Sequence, residues 1–102
     1  MVAPDGQVFA ERFCSYSGDL FHLFASYCAF PIHACVVRRS LVEAAGGFDP
    51  SLRTCEDWDF WQRIARTGAR FGASNRVLAH YRVRPSSISN DGFQLLTDGL
   101  RV

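Results

Sequence analysis

Apolar positions along the chain recur with more than one period. Leu20, Leu23, Phe24 and Tyr27 fall at i, i+3, i+4 and i+7, the spacing that lines up one face of an α-helix. Asp19 precedes them as an N-cap candidate, and Pro31 stops the run. His33 to Val37 is short, apolar and β-branched at its end, which predicts a buried strand. Ser40 then caps a short helix, with Glu43 three residues on as the partner of a capping box. Gly46-Gly47 closes that helix, because glycine accepts the left-handed C-cap conformation. The clearest helix opens at Thr54 and runs to about Thr67, with Gly68 behind it. Asp57, Phe60, Trp61 and Ile64 share its inward face. Phe71 and Val77 to Val83 predict two more strands, and the segment from Phe93 reads as a weak helix or a frayed tail. Residues 1–17, Phe48 to Arg53 and the Ser-rich stretch around 86–92 read as loops.

Length bounds what these elements can build. The chain has 102 residues, enough for one small domain or a piece of a larger one. Its 11 basic and 10 acidic residues nearly cancel, which removes the electrostatic case for nucleic acid as a partner. The start of the chain carries no secretory signal pattern. The most apolar stretch, Leu20 to Val37, is broken by His22, Ser26, Pro31 and His33, so no transmembrane segment is expected. Cys14, Cys28, Cys35 and Cys55 form no C-x-x-C pair, and His22, His33 and His80 are scattered. Free, buried thiols in a reducing compartment are expected rather than structural zinc.

The densest chemistry is Glu56-Asp57-Trp58-Asp59. It has a plain structural reading: acidic residues favour helix N-termini, Thr54-x-x-Asp57 is a capping-box pattern, and Asp59 with Arg63 is an i, i+4 ion pair. It also has a functional one. Asp57 lies on the inward, aromatic face, where a carboxylate borders a pocket and can serve as a general base. Trp58 and Trp61 could wall a sugar-sized pocket, although for Trp61 the core is the stronger reading. Gly46-Gly47-Phe48-Asp49-Pro50 allows close backbone approach. Arg82 and Arg84, one residue apart on an extended segment, point the same way and could clamp a phosphate, or could protect an edge strand.

Taken in order, His33 to Ser40, Gly46-Gly47-Phe48-Asp49, Glu56 to Arg63, and Val77 to Pro85 followed by Ser87-Ile88-Ser89 resemble family-2 glycosyltransferases of the GT-A fold. The resemblance covers about residues 15–90, leaving 91–102 as a tail. It implies an α/β fold class: the C-terminal, acceptor-side portion of a GT-A domain, with a few helices and short mixed strands. The implied activity is inverting transfer of a sugar from a nucleotide-sugar donor to a saccharide or lipid-linked acceptor, with Asp57 as catalytic base. Glu56, Asp59 and Arg63 would support it; Gly47, Phe48, Asp49 and Trp58 would bind acceptor and donor sugar; Arg82 and Arg84 would bind the diphosphate. A divalent metal, Mg or Mn, is implied for the full-length enzyme, with His80 as a conceivable ligand.

Two departures from the family pattern stand out. No Asp-x-Asp-bearing, strand-rich donor half precedes these motifs, so the isolated chain is expected to be inactive. Where relatives carry a His two residues after the Arg of the Tyr-Arg pair, this chain has Arg84. The resemblance implies a cytoplasmic location, at most on the inner face of the membrane, in cell-envelope polysaccharide synthesis. The rival expectation is a non-catalytic interaction module in which the acidic cluster only caps a helix.

Overall fold

Phe60, Trp61, Ile64 and Ala65 are spaced to fill one side of a helix, and that side organises the molecule. The computed structural model describes residues 1–102 and contains four α-helices: α1 (Phe21–Phe24), α2 (Arg39–Ala45), α3 (Glu56–Arg66) and α4 (Gly92–Gly99). Short 3-10 turns lie at Ile32–Ala34 and Ile88–Asn90. α1 and α2 both pack on α3. The core consists of Leu20, Phe24, Phe60, Trp61, Ile64 and Ala65. Phe30 and Phe71 close over it, with ring centroids 5.3 Å from Phe24, and Phe30 lies 5.7 Å from Trp61. These tilted and edge-on contacts suit aromatic quadrupoles. The buried Trp61 Nε1 has no hydrogen-bond partner, a cost the aromatic packing must offset.

The α/β expectation is corrected: no sheet forms. Extended segments meet only at isolated bridges, Val2 with Val8 and Arg82, and Gly18 with Phe71. His33 to Val37 is not a strand, for a 3-10 turn occupies its start and Val36 is wholly exposed. Val77 and Leu78 are exposed too. The reason is a lack of neighbours. A strand is stabilised by a ladder and by side chains packed across it. Over residues 77–83 the pairing is confined to Val2, whose N–H donates to Tyr81 O (2.8 Å) and whose O accepts from Val83 N (2.9 Å). β-branched residues without that partner surface stay irregular.

Helix positions were legible, but most N-caps and the end of α1 were not. α1 begins at Phe21 with Leu20, not Asp19, at the N-cap and no side-chain cap bond; Asp19 Oδ1 accepts from Phe21 N at 2.9 Å, and the helix ends at Phe24, short of Tyr27. The Ser40 capping box is absent, since Ser40 lies inside α2 and Arg38 occupies the N-cap without a side-chain bond. Gly46 ends α2 in the left-handed conformation, as expected. The Thr54 capping box is absent as well. Cys55 holds the N-cap position of α3 at φ 60, while the Thr54 hydroxyl donates to Asp98 Oδ2 (3.0 Å). α4 is a formed helix rather than a frayed tail. Asp91 Oδ1 accepts from Gln94 N at 3.0 Å, and Asp98 ties the helix to residues 53–54.

The resulting body is loosely covered. Only 11 of 102 residues are buried, and none of the four free cysteines is among them, contrary to expectation. Its accessible surface is 7242 Å², whereas a compact monomer of this mass exposes about 5,800 Å². The radius of gyration is 14.3 Å, against about 13 Å for a typical domain of this length. No helix is long and apolar enough to cross a membrane.

Candidate functional site

The site is assembled by the turn between α2 and α3. Gly46 and Gly47 both have positive φ (78° and 72°), which reverses the chain after α2. Phe48 then packs its ring on Phe60, with centroids 4.6 Å apart. Asp49 Oδ1 accepts from Ser51 N at 2.8 Å, folding the loop back toward α3. That bond holds the Asp49 carboxyl below its ordinary value. Between this loop, the 3-10 turn at Ile32 and the first residue of α3 lies an open concavity of about 440 Å³, lined by Ile32, Phe48, Asp49, Pro50, Leu52 and Glu56. It offers one aromatic ring, aliphatic walls and two carboxylates, the ingredients for holding a polyhydroxylated ligand.

Of the residues singled out from sequence, Phe48, Asp49 and Glu56 converge here, with Gly47 in the turn that sets them. Asp57 is not among the lining residues. It is half-buried, and its Oδ1 accepts from Trp58 N at 2.8 Å, within its own helix start. Its charge acts on nearby cysteines. Cys28 is exposed as a residue, but desolvation of its sulfur, reinforced by the Asp57 charge, pushes the thiol up to about 12. Burial, followed by the charges of Cys14 and Asp57, pushes Cys35 up to about 11. Such thiols stay protonated near neutral pH and are poor nucleophiles.

Trp58 is a fastener: its Nε1–H donates to the Phe24 carbonyl, locking α3 to α1. Asp59 and Arg63 form the expected i, i+4 pair at 2.7 Å. Arg63 reaches further than expected. It donates to the Ala45 carbonyl at the end of α2, and its guanidinium lies 5.8 Å from the Phe60 ring centroid. It therefore positions the Gly46-Gly47 turn against α3.

The arginines of the C-terminal segment lie elsewhere. Arg82 and Arg84 are exposed. Arg84 lines a separate concavity of about 330 Å³ with Ala3, Pro4, Phe9, Val83, Pro85 and Asn90. His80 is exposed, and no three His, Cys, Asp or Glu side chains converge as metal ligands. No step below runs through a metal.

Sequence reasoning missed Asp98. Its carboxylate, 2% exposed, accepts at Oδ2 from Arg53 N (3.2 Å), Thr54 N (3.0 Å), Thr54 Oγ1 (3.0 Å) and Gln94 Nε2 (2.8 Å). The Gln94 bond foremost, then those from Thr54 and Arg53, holds its carboxyl down at about 2. It anchors the segment entering α3, two residues before Glu56. The only local signal was Gln94 with Asp98 at i, i+4; nothing in the sequence linked them to Thr54, 44 positions away.

No protein-family model, curated protein or solved structure matches this chain.

Proposed function

We propose that this chain supplies the acceptor-side part of an inverting glycosyltransferase, with saccharide hydroxyls held at the Phe48–Asp49–Glu56 concavity; the role of general base falls to Asp57, next to Glu56 in α3, on the resemblance alone. The observation that carries the reading is the concavity itself: three residues from two separate motifs, resembling those of family-2 glycosyltransferases, line one surface. Phe48 offers a face for sugar C–H groups, and Asp49 and Glu56 accept hydroxyl protons in hydrogen bonds. In the reaction the base removes the acceptor hydroxyl proton as that oxygen bonds to the anomeric carbon, while the bond to the nucleotide diphosphate breaks on the opposite face. The resemblance alone assigns the departing phosphates to Arg82 and Arg84, for Arg84 lines a separate concavity.

A second reading has its own support. The one hydrogen bond made by Asp57 is to a backbone N–H of its own helix, as expected of an interaction module in which the acidic cluster only caps α3.

Two measurements separate these readings. Titrating the chain with oligosaccharides should shift amide resonances of Phe48, Asp49 and Glu56, with weak affinity. In an enzyme that also carries a donor-binding half, Asp57→Asn should lower turnover by at least about 10²-fold and leave acceptor binding unchanged. Near wild-type turnover removes Asp57 as base, and absence of any saccharide-induced shift favours the interaction module.

A further inference from the structure

The concavity at the α2–α3 turn is one-sided in its chemistry. It is lined by Ile32, Phe48, Asp49, Pro50, Leu52 and Glu56, and not one of these side chains can donate a hydrogen bond. Its polar side chains are two carboxylates, which only accept. Asp49 is engaged by Ser51 alone. Glu56, the first residue of α3, has neither a hydrogen bond nor an ion pair on its carboxylate. The charges of Arg101 and Arg63 reach Asp49, but neither arginine lines the concavity. Arg63 is held by Asp59 and the Ala45 carbonyl, and Arg101 by Ser51 and Asp98.

We infer that this concavity takes a saccharide bearing a free amine, with the ammonium set against the Asp49 and Glu56 carboxylates. The inference rests on the saccharide reading above and narrows its substrate class. An ammonium has three donors and no acceptor, the complement of walls that offer acceptors alone. An N-acetylated sugar loses the charge and brings a carbonyl for which no lining side chain has a donor. A uronic acid or sugar phosphate places a third negative charge beside two others. Phe48 adds to the preference: one face packs on Phe60, while the ring stays 48% exposed for sugar C–H groups or the cation. The volume of about 440 Å³ lies within the range of small-molecule pockets, and a lone lysine side chain from a peptide would leave much of it unfilled.

Nuclear magnetic resonance titration of the full 102-residue chain tests this at about pH 6, where an amine flanked by polar groups keeps its proton. The probes are a β-linked glucosamine trimer, the same trimer fully N-acetylated, and trigalacturonate. The glucosamine trimer should shift the amides of Phe48, Asp49 and Glu56 and bind at least about fivefold tighter than the acetylated one. Trigalacturonate should cause no shift there. On the unaltered chain, raising NaCl from about 20 mM to about 0.5 M should erase most of the preference. Glu56→Gln removes one charge, supplies a donor and breaks no bond within the chain, so it should cut the preference to about twofold or less.

Equal or tighter binding of the acetylated trimer or of trigalacturonate overturns the amine assignment and leaves the saccharide reading standing. So does a preference that survives both high salt and Glu56→Gln. Trilysine binding more tightly than the glucosamine trimer also overturns it, and assigns the site to a basic peptide. No shift with any of the three sugars removes the saccharide reading and this inference together.

Discussion

Asp98 and Arg63 carry more of the architecture than their places in the sequence suggest. The folded-state value of about 2 for Asp98 lies below the ordinary carboxylate range. Its contribution to stability is therefore complete above about pH 4 and is lost as pH falls toward 2. Thermal midpoints measured from pH 6 down to pH 2 should drop within that window, and Asp98→Asn should flatten the drop while lowering the midpoint at neutral pH. Arg63 bonds Asp59 on its own helix and the Ala45 carbonyl across to α2. Arg63→Ala should destabilise by about 1–2 kcal/mol in urea unfolding, chiefly through the carbonyl left without its charged donor. Arg63→Lys should recover only part of this, because one ammonium cannot span both acceptors in fixed geometry.

At the level of elements, helices form where local periodicity met a tertiary surface, and strands fail where it did not. α3 was legible because Phe60, Trp61, Ile64 and Ala65 bury together whatever the chain does elsewhere. Gly46 was legible because a left-handed C-cap is a local requirement. At φ 78, with nothing within 4 Å of an added Cβ, Gly46→Ala should cost about 1 kcal/mol, all of it backbone strain. Gly92, in the first turn of α4, has the same open space without the positive φ, so Gly92→Ala should be neutral or slightly stabilising. Comparing the two midpoints in urea checks whether backbone conformation, not space, sets the cost. The caps at Ser40 and Thr54 misled because a cap motif is only an offer of a hydrogen bond. Thr54 found a stronger acceptor in a buried carboxylate from the other end of the chain.

For the molecule as a whole, stability rests on one small aromatic cluster. Phe24 is fully buried and touches both Phe30 and Phe71. Phe24→Ala should cost about 3–5 kcal/mol, a large share of what a domain of this size commands. Loss of the near-ultraviolet circular dichroism signal with retained helical signal would mark the collapse of packing around an intact α3. The extra accessible surface and the exposed Phe93, Leu96 and Leu100 of α4 point the same way: much apolar area here is not used within the chain.

The sequence by itself determined the start of α1, the positions of α2 and α3, the glycine turn, the Asp59–Arg63 pair and the aromatic identity of the core, because each depends on spacings of seven residues or fewer. Only the tertiary structure decided that the extended segments meet at isolated bridges rather than in a sheet, that Phe48, Asp49 and Glu56 share a concavity that Asp57 does not line, and that Asp98 anchors α4 beside the entry to α3. These depend on contacts between residues far apart in the chain, whose partners no local pattern specifies.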